Sequence, residues 1–267
     1  MTSLKIGFVG FGNMAEAMAK GWLAAGVPAA NLLASARRAD VLRQKTATLG
    51  MTALSSNLSL AEAADLVVIA VKPYLVESVI TEMGDALKGK LVLSVAVNVH
   101  AAQLQPLLTK ATGEAAPRAL AILPNTPVAV NQGILLAEET PTLSPDDMAT
   151  FTELLNLLGR VVVLPTDKMG IGGVVAGCGP AFAALFIEAL GDAAVKYGLP
   201  RAAAYELVSQ MIVGTGALQL ASGLHPGVMK DAVCSPGGTT IQGVTAMERE
   251  GFRAAAIAAV DAVMQKK

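Results

Sequence analysis

Gly10-Phe11-Gly12-Asn13-Met14-Ala15 follows an apolar run at residues 4–9 and precedes an amphipathic stretch at residues 16–25. That strand–turn–helix context gives the G-x-G-x-x-A spacing its chemistry. Gly10 permits a sharp bend, Gly12 leaves room for a pyrophosphate, and Ala15 allows helix and strand to pack closely. The N-terminus of the following helix then faces the phosphates. Gly7, Gly10, Phe11, Gly12, Asn13 and Met14 are therefore candidate dinucleotide-binding residues. The competing reading is an ordinary strand-to-helix turn with two convenient glycines.

A second polar group lies where the next strand ends, at Ala34-Ser35-Ala36-Arg37-Arg38. A site for NAD places Asp or Glu there to hold the ribose hydroxyls. This chain has Ser35 and two arginines instead. A carboxylate repels a 2′-phosphate, whereas arginine clamps it with paired hydrogen bonds. Ser35, Arg37 and Arg38 thus predict NADPH as the preferred cofactor, with NADH as the alternative. Arg37 and Arg38 as plain solvated charges is the bland reading.

Two further segments carry donors. Ala70-Val71-Lys72-Pro73 closes a strand-like run, at the edge where open α/β sheets bind ligands. Near the C-terminus, Cys234-Ser235-Pro236-Gly237-Gly238-Thr239-Thr240 leads into a helical stretch. Its backbone N–H groups suit a carboxylate, for the reason that helix starts suit phosphates. A well-capped helix start fits that segment equally well.

The elements that position these groups follow from hydrophobic periodicity. Short apolar runs recur at residues 32–35, 66–71, 91–97, 118–122, 133–137 and 161–164, with helical patterns at 40–49, 75–86 and 145–158. Such alternation predicts an α/β fold with a mainly parallel sheet covered on both faces. The later strands have short links suited to antiparallel pairing. After Pro165 the strands stop, and residues 180–197, 201–221, 239–250 and 252–265 read as helices. We place a Rossmann-type NAD(P)-binding domain at residues 1–165 and an all-helical domain at 166–267. The helices are rich in alanine and glycine and have little polar face, which predicts burial against another copy as a homodimer.

Composition narrows the function. The chain has 267 residues and a net charge of −1, with no long run of one sign, so nothing points to nucleic acid or a membrane surface. Mean hydropathy is +0.54, as expected for strands buried on both faces. The uncharged stretch 169–187 is broken by glycines and predicts a buried loop entering a helix at Pro180, not a span. The two cysteines, Cys178 and Cys234, lack metal-ligand spacing and read as small buried residues in a reducing, cytoplasmic setting. No metal site is expected. The two histidines, His100 and His225, read as structural.

Gly10-Phe11-Gly12-Asn13-Met14, Ala70-Val71-Lys72-Pro73, Pro124-Asn125-Thr126-Pro127, Gly177-Cys178-Gly179-Pro180-Ala181 and Ser235-Pro236-Gly237-Gly238-Thr239-Thr240 together resemble the pyrroline-5-carboxylate reductase family. Their order and spacing match over essentially the whole chain. The Ser-Pro-Gly-Gly-Thr-Thr segment is the most specific signal and the glycine turn the least. The resemblance implies NAD(P)H-dependent reduction of 1-pyrroline-5-carboxylate to L-proline, the last step of proline biosynthesis. It also implies an interlocked helical dimerisation domain, in some assemblies a decamer. By the same resemblance Asn57 approaches the adenosine ribose or its phosphate. Ala70, Val71, Lys72, Pro73 and Ala96 lie along the cofactor. Ser235, Gly237, Gly238, Thr239 and Thr240 bind the substrate, with Thr240 the catalytic hydrogen-bond partner of the ring nitrogen.

Three segments depart from the family pattern. Ala176 and Cys178 replace serines, Val97-Asn98 replaces Ala-Gly, and Gly223-Leu224 stands before His225-Pro226-Gly227 where many relatives carry a glutamate. Two other functions remain alternatives: a different two-domain imine or β-hydroxyacid reductase, and a non-catalytic NADPH-binding sensor.

Overall fold

A computed structural model describes residues 4–114, 118–139 and 143–265. It divides into two compact units, Met1–Gly177 and Cys178–Lys267.

The first unit alternates strand and helix: β1 (Ile6–Val9), α1 (Asn13–Ala24), β2 (Leu32–Ser35), α2 (Ala39–Leu49), β3 (Thr52–Ala53), α3 (Asn57–Ala63), β4 (Leu66–Ile69), α4 (Val76–Met83), β5 (Leu91–Ser94), α5 (Ala101–Thr112), β6 (Ala119–Pro124), β7 (Gly133–Glu138), α6 (Pro145–Asn156), β8 (Gly159–Leu164) and α7 (Thr166–Gly173). The eight strands form one sheet in the order β3-β2-β1-β4-β5-β6-β7-β8. Its first six positions follow the doubly wound order, with the switch point between β1 and β4. Only β6 and β7 pair antiparallel; β7 and β8 are parallel, because α6 provides a crossover between them. The later strands are thus mixed in direction, not all antiparallel.

Period-two alternation explains the two cores. Ile6 and Phe8 of β1 face one layer with Met18 and Trp22 of α1 and Phe151 of α6. Val9 faces the other, with Leu60, Val76, Ile80 and Leu104 from α3, α4 and α5. Trp22 donates from Nε1 to the carbonyl of Leu154 at 2.9 Å, so even the buried indole N–H has a partner. Gly7 lies inside β1, and a Cβ there would come within 2.6 Å of Leu60 Cδ2. The structure therefore gives Gly7 a packing role under α3, away from the turn.

The stretch from Thr166 to Lys196 corrects the expected loop. It is continuous helix: α7, a π-helical turn at Val174–Cys178, and α8 (Gly179–Lys196). At Gly172 and Gly173 close packing offsets the low helix propensity of glycine. A Cβ at Gly172 would meet Leu164 Cδ1 at 2.7 Å, so α7 lies directly on the sheet. Pro180 is the second residue of α8, just after the π-helical turn, and has no N–H to give the preceding turn. By length and composition this helix, with a mean hydropathy of 1.8 over an 18-residue window, is long and apolar enough to cross a membrane.

The second unit holds α8, α9 (Arg201–Ser222), α10 (Pro226–Ala232), α11 (Thr239–Arg249) and α12 (Phe252–Met264). Gly191 lets α8 approach α9 closely, since a Cβ would meet the Tyr205 ring at 2.5 Å. Phe186 and Phe252 join α8 to α12, with ring centroids 5.9 Å apart. No described residue of α10, α11 or α12 is buried within one chain. Leu185, Leu207, Val213, Leu220 and Ile257 are all exposed. Cys178 and Cys234 are free thiols and half-buried, more open than the expected core positions.

Candidate active site

The first unit gathers its candidate residues at the C-terminal ends of β1, β2, β4 and β5. Gly10 has φ +88°, and a Cβ there would lie 2.8 Å from both the Ala70 carbonyl oxygen and Val71 Cγ1. Only glycine allows the chain to turn so close to the end of β4. The N–H of Gly10 donates to the Ser35 carbonyl at 2.9 Å, binding the turn to β2.

Gly12 is the N-cap of α1 and makes no side-chain cap. A Cβ placed on it would meet nothing within 4 Å. Unlike Gly10, then, it is not there for internal packing; it keeps space open before the first-turn N–H groups of α1, with Asn13 and Met14 at their head. These groups have no intrahelical acceptor and favour an anion. The residues present therefore fit a dinucleotide.

Ser35 is almost fully buried and donates from Oγ to Asn57 Oδ1 at 2.7 Å. Asn57, the first residue of α3, donates in turn from Nδ2 to Glu82 Oε2 on α4, also at 2.7 Å. Arg37 and Arg38 are exposed beyond β2. Among the described residues neither guanidinium is engaged in a hydrogen bond or ion pair.

Ala70 is held by its N–H to the Val9 carbonyl at 2.9 Å, and Val71-Lys72-Pro73 turns away into a short 3₁₀ segment with Lys72 exposed. Ala96 follows β5 and is buried. Asn98, where the family pattern has glycine, takes φ +60°. Asparagine tolerates that left-handed conformation better than most side chains, so this departure preserves the local turn.

The second unit presents the other group. Gly238 donates its N–H to the Ser235 carbonyl at 3.0 Å, and Gly237 takes φ +68°. A Cβ at Gly238 would meet Ser235 Oγ at 2.4 Å. Thr239 and Thr240 open α11, whose N-cap is Gly238 without a side-chain cap. The Thr240 hydroxyl is therefore not spent on capping. The side chains of Ser235, Thr239 and Thr240 are exposed and make no hydrogen bond among the described residues.

Both histidines stand at helix N-termini. His225 caps α10, its Nδ1 accepting from the Gly227 N–H at 3.1 Å. His100 begins α5, with Nδ1 at 3.5 Å from the buried carboxylate of Glu138. Glu138 also accepts from the Ala101 N–H at 2.7 Å and from Thr166 Oγ1 at 2.6 Å. Beyond the residues expected from sequence, the structure adds Glu82 and Asn125. Glu82 reaches the β2 end from another helix, a relation no spacing reveals. Asn125 lies in a quoted motif, but its partners appear only in three dimensions.

The fold and the glycine turn define a dinucleotide-dependent oxidoreductase. Residues 5–98, from β1 through β5, match the family model described as NADP oxidoreductase coenzyme F420-dependent. Residues 166–267 match the model described as pyrroline-5-carboxylate reductase dimerisation, so the chain carries a domain for self-association. The pyrroline-5-carboxylate reductase of Treponema pallidum is 41% identical over 262 residues, 98% of this chain and 99% of the relative. That of Escherichia coli is 36% identical, covering 98% and 96%. The crystal structure of Plasmodium falciparum pyrroline carboxylate reductase with NADP bound superposes with a TM-score of 0.84 at 30% identity, covering 100% of this chain and 97% of that one. The chain belongs to the pyrroline-5-carboxylate reductase family.

Proposed function

We propose that this chain reduces 1-pyrroline-5-carboxylate to L-proline, with NADPH preferred and NADH as a second reductant. Full-length likeness to reductases of that name supports the reaction. The structural observation that carries it is the Ser235–Thr240 turn, with its free hydroxyls and free helix N–H groups. A small carboxylate-bearing ring suits such a turn.

When bound, the nicotinamide supplies the hydride. Gly10, Phe11, Gly12, Asn13 and Met14 hold the pyrophosphate, and Ser35, Asn57, Arg37 and Arg38 hold the adenosine end. Ala70, Val71, Lys72, Pro73 and Ala96 flank the cofactor further along the strand ends. Among substrate contacts, the Thr239 N–H takes the carboxylate, while Ser235, Gly237 and Gly238 shape the turn, the Gly238 N–H being donated to the Ser235 carbonyl. Thr240 Oγ forms the hydrogen bond to the ring nitrogen and fixes the ring's orientation. The proton on that nitrogen comes from solvent before binding, so no strong acid is needed, and positioning supplies much of the acceleration.

We further propose that the functional division falls at residues 165/166 and that the working unit is a homodimer. The exposed apolar faces of α8 to α12 then lie against a second copy, not a bilayer or nucleic acid. Larger assemblies up to a decamer would be built from such dimers. The setting is the cytoplasm.

The test follows NADPH and NADH oxidation by purified protein with 1-pyrroline-5-carboxylate, identifying the product. Formation of proline supports the reading. Cofactor binding without turnover would favour the sensor alternative, and light scattering would report the assembly.

A further inference from the structure

The strand end of β2 lacks the carboxylate that selects a ribose 2′-hydroxyl, yet a carboxylate reaches the same place by another route. Ser35 Oγ donates to Asn57 Oδ1, which orients the amide so that Nδ2 points outward. That Nδ2 donates to Glu82 Oε2 at 2.7 Å. Ser35 is buried and fixed by β2, so the arrangement is anchored at one end. At the other, an exposed carboxylate from α4 occupies an amide donor beside the position of the adenosine ribose.

We propose that Glu82 is a specificity-determining residue that opposes Arg37 and Arg38 and keeps NADH usable. Its carboxylate repels a 2′-phosphate and engages the Asn57 N–H that the phosphate would otherwise recruit. A ribose 2′-hydroxyl carries no charge and suffers no such repulsion. The two arginines and Glu82 thus pull cofactor choice in opposite directions. This inference rests on the reading of Ser35, Arg37 and Arg38 as the adenosine-ribose site.

The test measures binding of 2′,5′-ADP and 5′-AMP by calorimetry to the full chain at low salt. Glu82→Gln keeps an acceptor for Asn57 but removes the charge. It should raise the affinity for 2′,5′-ADP relative to 5′-AMP by about three- to tenfold, the scale of a partly screened charge contact. The gain should shrink as salt is added. Glu77→Gln, elsewhere on α4, serves as the control for general charge and should move the ratio less than about twofold. An unchanged ratio in Glu82→Gln overturns the proposal. So does loss of 2′,5′-ADP affinity in Glu82→Ala with none in Glu82→Gln, since Glu82 would then only orient Asn57. The double variant Arg37→Ala, Arg38→Ala separates the two readings. If it leaves 2′,5′-ADP binding intact, the ribose-site reading itself fails; if it weakens binding while Glu82→Gln has no effect, only the Glu82 proposal falls.

Discussion

Asn125 donates from Nδ2 to the carbonyl of Ala176 at 3.0 Å, inside the π-helical turn. In an α-helix that carbonyl would accept from residue 180, and Pro180 has no N–H. Asn125 Oδ1 meanwhile accepts from the Ile134 N–H at 2.9 Å, so one buried amide ties the start of β7 to the π turn. Replacing Asn125 by Leu should destabilise the fold by about 1–3 kcal/mol, the cost of leaving buried polar groups unpaired. Asn125→Asp should also destabilise it, because a carboxylate cannot donate to Ala176. Urea unfolding of the three proteins checks this.

Thr240→Ala should lower kcat by about ten- to hundredfold through lost orientation of the ring, with little change in NADPH affinity. Thr240→Ser should restore most of the loss. Steady-state kinetics with parallel cofactor titration separates the two effects. Wild-type turnover in the alanine variant would remove Thr240 from the mechanism.

Arg37→Ala combined with Arg38→Ala should raise KM for NADPH by about one to two powers of ten, corresponding to about 1–3 kcal/mol of lost polar partners. KM for NADH should change far less. Equal loss with both cofactors would mean that the arginines do not read the 2′-phosphate.

Gly10 and Gly12 should fail in different ways when changed to alanine. At Gly10 the methyl group meets backbone in a left-handed conformation, so Gly10→Ala should cost about 1–3 kcal/mol of stability. At Gly12 the methyl enters open space. Gly12→Ala should keep the apo-protein's melting temperature and lose nucleotide affinity. Thermal melts with and without NADP⁺ distinguish these outcomes.

Acid sensitivity should centre in part on Asp147. Hydrogen bonding from Arg118, whose Nε lies 2.8 Å away, holds the Asp147 carboxyl below its ordinary value. The unfolded group titrates near pH 3.9, so the added stability is fully present above that pH. It is lost as pH falls through the lower folded value. Asp147→Asn should therefore be less stable at neutral pH and show a shallower loss below about pH 4. Urea midpoints from pH 7 to pH 2 test the slope.

The sequence is most legible where packing is two-sided. β2 and β4 are near-continuous apolar runs because helices cover both faces of the sheet. The long C-terminal helices show through their length and their Gly198 and Gly251 breaks. α5 is hidden because Pro106 interrupts its pattern, and α7 because its glycines serve close packing on β7 and β8. Among the candidate residues, the turns at Gly10, Gly12 and Ser235–Thr240 and the strand end at Ser35 are legible because turn chemistry is local. Glu82 is not, because its relation to Ser35 passes through Asn57 and across three elements. Gly7 has the residue type of a turn glycine, but its neighbours make it a packing position.

The sheet unit encloses its own apolar residues, whereas the helices after Gly177 leave theirs uncovered within one chain. A ribosome releases the sheet first, and it can fold while the helices are still being made. The helices then emerge with adhesive faces and no internal refuge. The surface that needs a partner is thus the last part of the chain to be made, and it is complete only when the sheet unit has had time to fold.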